Sequence, residues 1–306
     1  MSSEIAFFIN QNSGSGKASA VAEAAEHSLP GLRIQSILPK SALELSESCT
    51  QLQREKVKAA VVFGGDGTQT YALRGLLESG IPLYPFPSGT ANDLAKEQGI
   101  TGSIEQFQKL VEEESIEQIR VLGVNGIPFS TVAGIGIGSD LCSEYNTLRS
   151  KYSIFKKVSQ RLNCEIYSAL AVKNIFSKWG KGHRVHIKAD GFDEVLTVSS
   201  IMICNQSTLA GNLKVAPDQK KDSEDFTVLI HPEACGFATL KGLAEMKLGN
   251  INDSFISIKT KNLVIENLDG KSMNVFGDGE ILTESTTLTF NQYPKKLNIF
   301  GVRHLF

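Results

Sequence analysis

Four short apolar runs in the first half of the chain, each followed by a helical pattern, constrain the fold most. The runs are EIAFFIN from residue 4, RIQSIL from 33, VKAAVVF from 57 and IPLYPF from 81, and the helical patterns cover about 17–28, 41–55, 68–78 and 90–98. Strands that alternate with helices in this way are typical of βαβ units around a parallel sheet. Ligands bind such a sheet beyond the carboxyl ends of its strands. The pattern therefore predicts an α/β domain with its binding site at one edge of the sheet.

The pattern changes after about residue 118. Two β runs flank Asn125-Gly126, a strong hairpin signal, and from about residue 184 onward most of the chain alternates as β-strands do. This predicts a second, antiparallel domain, either a sandwich or a barrel. We predict domains at 1–124 and 125–292, with a helical stretch inserted at about 151–178.

Composition excludes several classes of protein. Of the 306 residues 41% are hydrophobic, the net charge is −2, and the five cysteines are scattered without a C-x-x-C pair. The charge does not indicate a nucleic-acid partner, and the cysteines favour a reducing compartment. No signal peptide and no run of 18 apolar residues is found. A cytoplasmic protein is expected, one that can still work at the inner membrane face.

The third apolar run ends in Gly64-Gly65-Asp66-Gly67, followed by Thr68 and a helical pattern. A strand, a glycine-rich turn and a helix present backbone N–H groups to an anion, and glycine lets the backbone approach it closely. The turn is therefore interpreted as a phosphate cradle. Because a carboxylate alone would repel phosphates, Asp66 is expected to act with a divalent cation. A tight turn in which Asp66 only caps the helix is the plainer alternative.

The fourth run ends in a similar segment, PSGTANDLA at residues 87–95. It passes through a Ser-Gly-Thr turn into a helix and brings hydroxyl, amide and carboxylate groups, in the residues Ser88, Gly89, Thr90, Asn92 and Asp93. An ordinary capped helix is the alternative for this segment taken alone.

A third loop, NQNSGSGKA at residues 10–18, follows the first run. It fails the Walker A pattern because Gln11 occupies the place of the first glycine and Ala18 follows Lys17. Three phosphate-type loops at the ends of parallel strands nevertheless predict one shared nucleotide site.

These motifs together resemble the diacylglycerol kinase catalytic-domain family, which includes bacterial lipid kinases and sphingosine kinases. GGDGT at 64–68 and PSGTANDLA at 87–95 carry the resemblance, supported by N-x-x-S-G at 10–14 and by Gly277-Asp278-Gly279-Glu280. GGDGT alone is shared with NAD kinases and phosphofructokinases. Its combination with G-T-x-N-D-x-A and a late D-G-E is much more specific.

The resemblance implies an ATP-dependent lipid kinase of phospholipid metabolism that phosphorylates a hydroxyl of diacylglycerol or a similar amphiphile. It implies a β-rich second domain and a C-terminal tail, residues 293–306, that returns to the first domain. Asp278 is then the general base, Glu280 supports a Mg²⁺ ion together with Asp66, and the remaining residues bind the nucleotide: Asn10, Ser13, Gly14, Gly64, Gly65, Asp66, Gly67, Thr68, Ser88, Gly89, Thr90, Asn92 and Asp93.

Two points of the resemblance stay open. Asp278-Gly279 taken alone favours a hairpin turn, and only its combination with the other motifs favours catalysis. The family's acidic loop, tied to a structural Mg²⁺ in some bacterial members, is represented here by Asp222 but followed by Ser223 and Glu224. An accessory metal site is therefore not assigned.

Residues 149–184 hold nine Lys and Arg against one acid, in a chain whose net charge is −2. A basic amphipathic helix is typical of docking to a membrane surface. Lys156, Lys157 and Arg161 are the predicted docking residues, and a solvated helix face that only packs on the β domain is the alternative. The expected partner is a lipid at a membrane, with no nucleic acid, and a homodimer stays open.

Two other functions remain at this stage. An NAD kinase-like phosphotransferase shares GGDGT, and a catalytically silent nucleotide- or lipid-binding protein would fit the altered acidic loop. The intact Asp66, Asp278 and Glu280 favour an active lipid kinase.

Overall fold

The computed structural model describes residues 4–11, 17–29, 31–89, 91–151, 182–210, 213–221, 223–232, 236–251 and 254–302. The strands in chain order are β1 Glu4–Ile9, β2 Arg33–Ile37, β3 Val57–Gly64, β4 Leu83–Pro87, β5 Ile116–Ile119, β6 Leu122–Val124, β7 Ile127–Phe129, β8 Val132–Gly136, β9 His183–Ala189, β10 Phe192–Val198, β11 Ser200–Cys204, β12 Thr208–Leu209, β13 Leu213–Lys214, β14 Phe226–His231, β15 Ile256–Thr260, β16 Asn262–Asn267, β17 Met273–Gly277, β18 Glu280–Ser285, β19 Thr287–Gln292 and β20 Leu297–Phe300. The helices are α1 Lys17–His27, α2 Ala42–Thr50, α3 Asp66–Ser79, α4 Asp93–Glu97, α5 Ile104–Glu112, α6 Ile137–Lys151 and α7 Gly236–Leu248.

The chain divides into two compact units. One unit contains Met1–Arg120 and Pro294–Phe306, and the other contains Val121–Tyr293. The sequence prediction placed residues 122–124 with the first domain, whereas β6 pairs with β19 inside the second unit. The hydrogen-bonded partner, rather than the change of pattern near residue 118, therefore decides where this strand belongs.

The first unit is built on one six-stranded sheet in the order β2-β1-β3-β4-β20-β5. Its pairs are parallel from β2 through β20, and only β5 runs antiparallel to β20. The predicted parallel-sheet α/β domain is confirmed.

One face of this sheet packs on α1 and α5. Alternate residues of β3, Ala59, Val61 and Phe63, share a core with Ala22 of α1 and Phe107 of α5. The intervening residues of β3 point to the opposite face because side chains alternate along a strand. Helix α3 contacts β3, β4 and β20. Such burial of apolar side chains is the main stabilising contribution to a fold of this type.

The second unit contains two six-stranded sheets, ordered β10-β9-β16-β19-β6-β7 and β15-β14-β11-β8-β17-β18. Residues from both sheets form one hydrophobic core, which joins Val185 and Ile265 of the first sheet to Ile201 and Val228 of the second. The predicted antiparallel β-rich domain is confirmed, and of the two predicted architectures it is the sandwich.

Helix α7 was not predicted, because Gly236 and Gly242 interrupt its apolar pattern and the neighbouring runs are β. Its Met246 packs with Leu229 of β14 and with Phe255, next to the sheet that contains β14. That contact explains why every residue of β14 is buried, since both faces of the strand are covered.

Helix α6 was also missed, because its first turn lies inside an apolar Gly-rich run that is typical of a strand. The helical stretch predicted at about 151–178 lies outside the described residues apart from Lys151.

Candidate functional site

Three loops of the first unit leave the carboxyl ends of neighbouring strands, as the sequence predicted. Strands β1, β3 and β4 are adjacent and parallel, so the segments that begin at Asn10, Gly65 and Ser88 start at the same edge of the sheet. The Asn10 side chain donates a hydrogen bond of 2.8 Å to the hydroxyl of Thr68. The backbone N–H of Ser88 donates to the carbonyl of Gly64 over 3.1 Å. The structure thus brings the first and second loops, and the second and third, into direct contact.

Asp66 joins the GGDG turn to the loop after β4. One oxygen of its carboxylate accepts the N–H of Asn92 at 2.9 Å, and the other accepts the N–H of Asp93 at 2.6 Å. The side chain of Asn92 in turn accepts the N–H of Gly89 and donates to its carbonyl, at 2.8 and 3.0 Å. These bonds hold together backbone segments that are 26 and 27 residues apart in sequence.

The two loops also touch through glycines. A Cβ atom built on Gly89 would lie 2.3 Å from the Cα of Gly65, and one built on Gly65 would lie 3.0 Å from the Cα of Gly89. Carbon atoms do not approach to 2.3 Å without a bond, so only glycine fits at position 89, and a side chain at position 65 would require the loops to shift slightly apart.

Burial raises the pKa of Asp66 to about 6, with a further contribution from the nearby Asp93 carboxylate. The backbone N–H groups that bond to Asp66 act in the opposite direction because they favour the ionised form. Asp93 itself is buried at the start of α4. Above about pH 6 the loops therefore hold a negative charge close to the position where phosphates are predicted.

The described residues contain no group of three or more His, Cys, Asp or Glu side chains placed to hold a metal ion. Each oxygen of Asp66 accepts one backbone N–H group, and an ionised carboxylate has further lone pairs beyond these two bonds. Coordination of a metal by Asp66 and Glu280 stays a prediction.

Asp278 lies in the second unit, in the two-residue turn between β17 and β18. Asp278 and Gly279 have φ of +49° and +84°, the positive values that a tight hairpin turn of the Asp-Gly type requires. The side chain is buried and accepts the N–H groups of Ser130 and Thr131, each at 2.8 Å, and also their two hydroxyl groups. The hairpin alternative and a functional carboxylate are thus compatible in one turn.

Sequence reasoning missed the residues around Asp278. Ser130 and Thr131 follow β7, and the side chain of Asn205 donates to the Ser130 carbonyl over 2.7 Å. The only sequence signal was a pair of hydroxyl residues just before a buried strand.

Glu280 lies next to helix α6. Burial, and then the charge of Glu280, raises the pKa of the Cys142 thiol on that helix to about 12. The Cys142 thiol donates to the carbonyl of Gly279 over 3.3 Å, which fixes α6 beside the Asp278 turn.

The segment after Pro217, where the accessory metal was left unassigned, is organised by an amide. The buried Gln219 side chain donates to the carbonyls of Lys220 and Asp225 at 3.2 and 3.0 Å and accepts the hydroxyl of Thr227 at 2.8 Å. Glu224 forms an ion pair with Lys261. Asp222 lies outside the described residues, as do the other predicted residues Ser13, Gly14, Thr90, Lys156, Lys157 and Arg161.

The fold and the loops define a class of protein: an α/β unit whose glycine loops meet at the carboxyl edge of a parallel sheet, with a β-sandwich unit in the same chain. Residues 4–124 match the family model described as the diacylglycerol kinase catalytic domain. This segment is therefore similar to the diacylglycerol kinase catalytic domain, as the motifs indicated.

The similar proteins include a diacylglycerol kinase, an uncharacterized protein and a phosphofructokinase. A diacylglycerol kinase of Mycobacterium tuberculosis is 37% identical over 97 residues, 30% of this chain and 31% of that protein. An uncharacterized Synechocystis protein, sll0036, is 25% identical over 261 residues, 79% of this chain and 54% of its own length. An ATP-dependent 6-phosphofructokinase of Streptococcus equi subsp. zooepidemicus is 27% identical over 152 residues, 46% of this chain and 41% of that enzyme. The chain thus spans about half or less of the length of these relatives.

A solved structure from Bacillus anthracis str. Sterne, described provisionally as a diacylglycerol kinase, shares the fold. It superimposes with a TM-score of 0.76 over 98% of this chain and 95% of its own, at 21% sequence identity. Within the described part of the chain, no helix combines the length and apolar character needed to cross a bilayer.

Proposed function

We propose that this chain is an ATP-dependent lipid kinase that transfers the γ-phosphate of ATP to a hydroxyl of diacylglycerol or a similar amphiphilic lipid. The observation that carries the proposal is the joined pair of glycine loops at 64–68 and 87–93, inside a segment that matches the diacylglycerol kinase catalytic domain. Backbone N–H groups at a glycine turn and a helix start can hold phosphate oxygens.

In phosphoryl transfer the protein itself forms few covalent bonds with the substrates. Phosphoryl transfer depends mainly on positioning and on stabilising charge, plus a group that accepts the proton of the attacking hydroxyl. A magnesium ion bound with ATP would supply charge neutralisation, and Asp66 and Glu280 are the carboxylates predicted to contact it. No role of the loops described above depends on that ion.

Asp278 is the proposed proton acceptor. Two backbone N–H groups hold its carboxylate in place, whereas the hydroxyls of Ser130 and Thr131 can rotate about a single bond and release a lone pair. The proton of the lipid hydroxyl would pass to the freed oxygen of Asp278 as the phosphoryl group is transferred. This role requires Asp278 to reach the acceptor hydroxyl in the working enzyme.

An assay with radiolabelled ATP tests the reaction and its acceptor. The purified chain is incubated with a panel of lipids in mixed micelles, including diacylglycerol and sphingosine, and with NAD and fructose 6-phosphate. We expect labelled product only with a lipid hydroxyl. Label on NAD would favour the NAD kinase alternative, and label on no acceptor, with ATP still bound, would favour a silent binding protein.

Replacement of Asp278 by Asn should reduce turnover by about 100-fold or more, because the proton acceptor is lost. ATP affinity, measured by titration calorimetry, should stay within about twofold, since the phosphate loops belong to the first unit. Asp269→Asn, at an exposed turn preceding β17, is the matched control and should keep full activity. Full activity of Asp278→Asn would exclude this residue as the proton acceptor.

The proposal includes docking to an anionic membrane through Lys156, Lys157 and Arg161, because each basic residue near such a surface contributes about 1 kcal/mol. Reversing all three charges to Glu should weaken sedimentation with phosphatidylglycerol vesicles by about tenfold or more. A control protein with Lys220, Lys259 and Lys271 reversed carries the same net charge. Equal loss in both proteins would show that only overall charge matters.

A further inference from the structure

We propose that Asp66 is a positioning residue: its carboxylate holds the loop at 88–93 against the GGDG turn and shapes the phosphate cradle before any nucleotide or metal binds. The inference rests on the proposed function only for the identity of the ligand in that cradle. The contact between the two loops is a property of the protein alone.

The hydrogen bonds explain why this position carries a carboxylate. The N–H groups of Asn92 and Asp93 lie at the start of α4, where a helix leaves its first N–H groups without partners of its own. Each oxygen of Asp66 accepts one of them. Two adjacent donors match the two oxygens of one carboxylate, and hydrogen bonds to an ionised acceptor are stronger than neutral ones. An amide at this position would offer one acceptor and one donor.

The same bonds argue against the plainer alternative, in which Asp66 caps its own helix. The N-cap residue of helix α3 is Gly65, and no side chain forms a capping hydrogen bond at this end of the helix. Asp66 instead satisfies the first turn of a different helix, 26 residues further along the chain. Its partners are therefore those of a link between two loops.

The link acts together with the glycine contact. Asn92 has a left-handed backbone, with φ of 53°, and its side chain closes the turn onto Gly89. The backbone of Gly89 contacts the backbone of Gly65, since a Cβ built on Gly89 would lie 2.3 Å from the Cα of Gly65. Asp66 therefore fixes Asn92, Asn92 fixes Gly89, and Gly89 lies against the turn that contains Asp66. Without the Asp66 carboxylate, the hydrogen bond to Asn92 is lost, and with it this connection between the GGDG turn and the loop after β4.

Amide hydrogen exchange tests the link directly, in the nucleotide-free protein with a chelator present. In the wild type the amides of Asn92 and Asp93 should exchange slowly, because each donates a hydrogen bond to a buried carboxylate oxygen of Asp66. In Asp66→Asn both should exchange about tenfold faster or more, while the amides of β1 and β3 stay unchanged. Glu55→Gln, at the exposed turn before β3, is the control and should change neither.

ATP affinity is the second quantity to measure. Affinity should fall about tenfold in Asp66→Asn, by the same factor with Mg²⁺ and with a chelator, because the cradle itself is loosened. A loss confined to the samples with Mg²⁺, with exchange at Asn92 and Asp93 unchanged, would overturn the proposal in favour of a metal ligand. Fast exchange of these two amides in the wild type would also overturn it. If the wild type binds no ATP, the proposed function fails, and the exchange result still decides the role of Asp66.

Discussion

Gly89 lies so close to the Cα of Gly65 that it has no room for a side chain, whereas a Cβ added at Gly65 would make a tight contact of 3.0 Å. The contact is made by backbone atoms, which cannot move aside as a flexible side chain can. A side chain at Gly89 would therefore force the two loops apart, and one at Gly65 would require a smaller shift. At this scale the proposed phosphate cradle depends on glycine at position 89.

Gly89→Ala should separate the two loops, because the added Cβ would lie 2.3 Å from the Cα of Gly65. We expect a loss of about 1–3 kcal/mol of unfolding free energy in urea titrations, typical of overpacking, and a loss of measurable ATP binding.

Gly126→Ala is the control for backbone effects. Its φ of +82° makes alanine unfavourable, but nothing lies within 4 Å of the added Cβ. This variant should lose some stability and keep its ATP affinity. Unchanged ATP affinity in Gly89→Ala would show that the glycine contact is not needed for the site.

In the second unit, a buried polar side chain stabilises the segment that leads into β14. Gln219 satisfies two carbonyl groups of the segment that leads into β14 and accepts a bond from Thr227 within that strand. A neutral amide thus connects backbone groups in the segment where the sequence analysis assigned no accessory metal site.

Gln219→Ala should lower the unfolding free energy by about 1–3 kcal/mol, because it removes a buried amide and leaves two partly buried carbonyl groups without their donor. Lys220→Ala is the matched control, since the Lys220 side chain is exposed and its carbonyl remains. Urea titration monitored by circular dichroism measures both. Equal stability of the two variants would mean that water replaces the amide at no cost.

Elements defined by neighbouring residues were predictable from the sequence, and those defined by distant partners were not. The Asn125-Gly126 hairpin was recognised because two positive φ values, +48° and +82°, suit these residue types. The hydrogen bonds from Ser130 and Thr131 to Asp278 span 148 and 147 residues, and no local sequence pattern predicts them. The link from Asp66 to the loop after β4 was missed for the same reason, although both segments had been recognised.

In the part of the chain that the structure describes, each unit has a cysteine buried in its core. Cys49 belongs to the first unit and Cys204 to the second, and neither is accessible to solvent. Burial raises the pKa of Cys49 to about 12 and raises that of Cys204 as well. At pH 8 almost none of either thiol is present as the reactive thiolate.

Iodoacetamide at pH 8 should therefore leave Cys49 and Cys204 unlabelled in the native protein and label each one only when its own unit unfolds. Peptide mapping by mass spectrometry after pulses at increasing urea concentrations follows the two sites separately. The fully unfolded chain is the positive control. Rapid labelling of either cysteine without urea would contradict the buried core around it.

The strand nearest the end of the chain, β20, lies between β4 and β5 in the sheet of the first unit. During synthesis β20 leaves the ribosome after the strands of the sandwich, because all of them precede it in sequence. The sheet of the first unit therefore cannot be completed before β20 has emerged, and β5 cannot pair with β20 until then. A product truncated before β20 would lack the strand that joins β4 to β5, in the same sheet whose other strands carry the glycine loops.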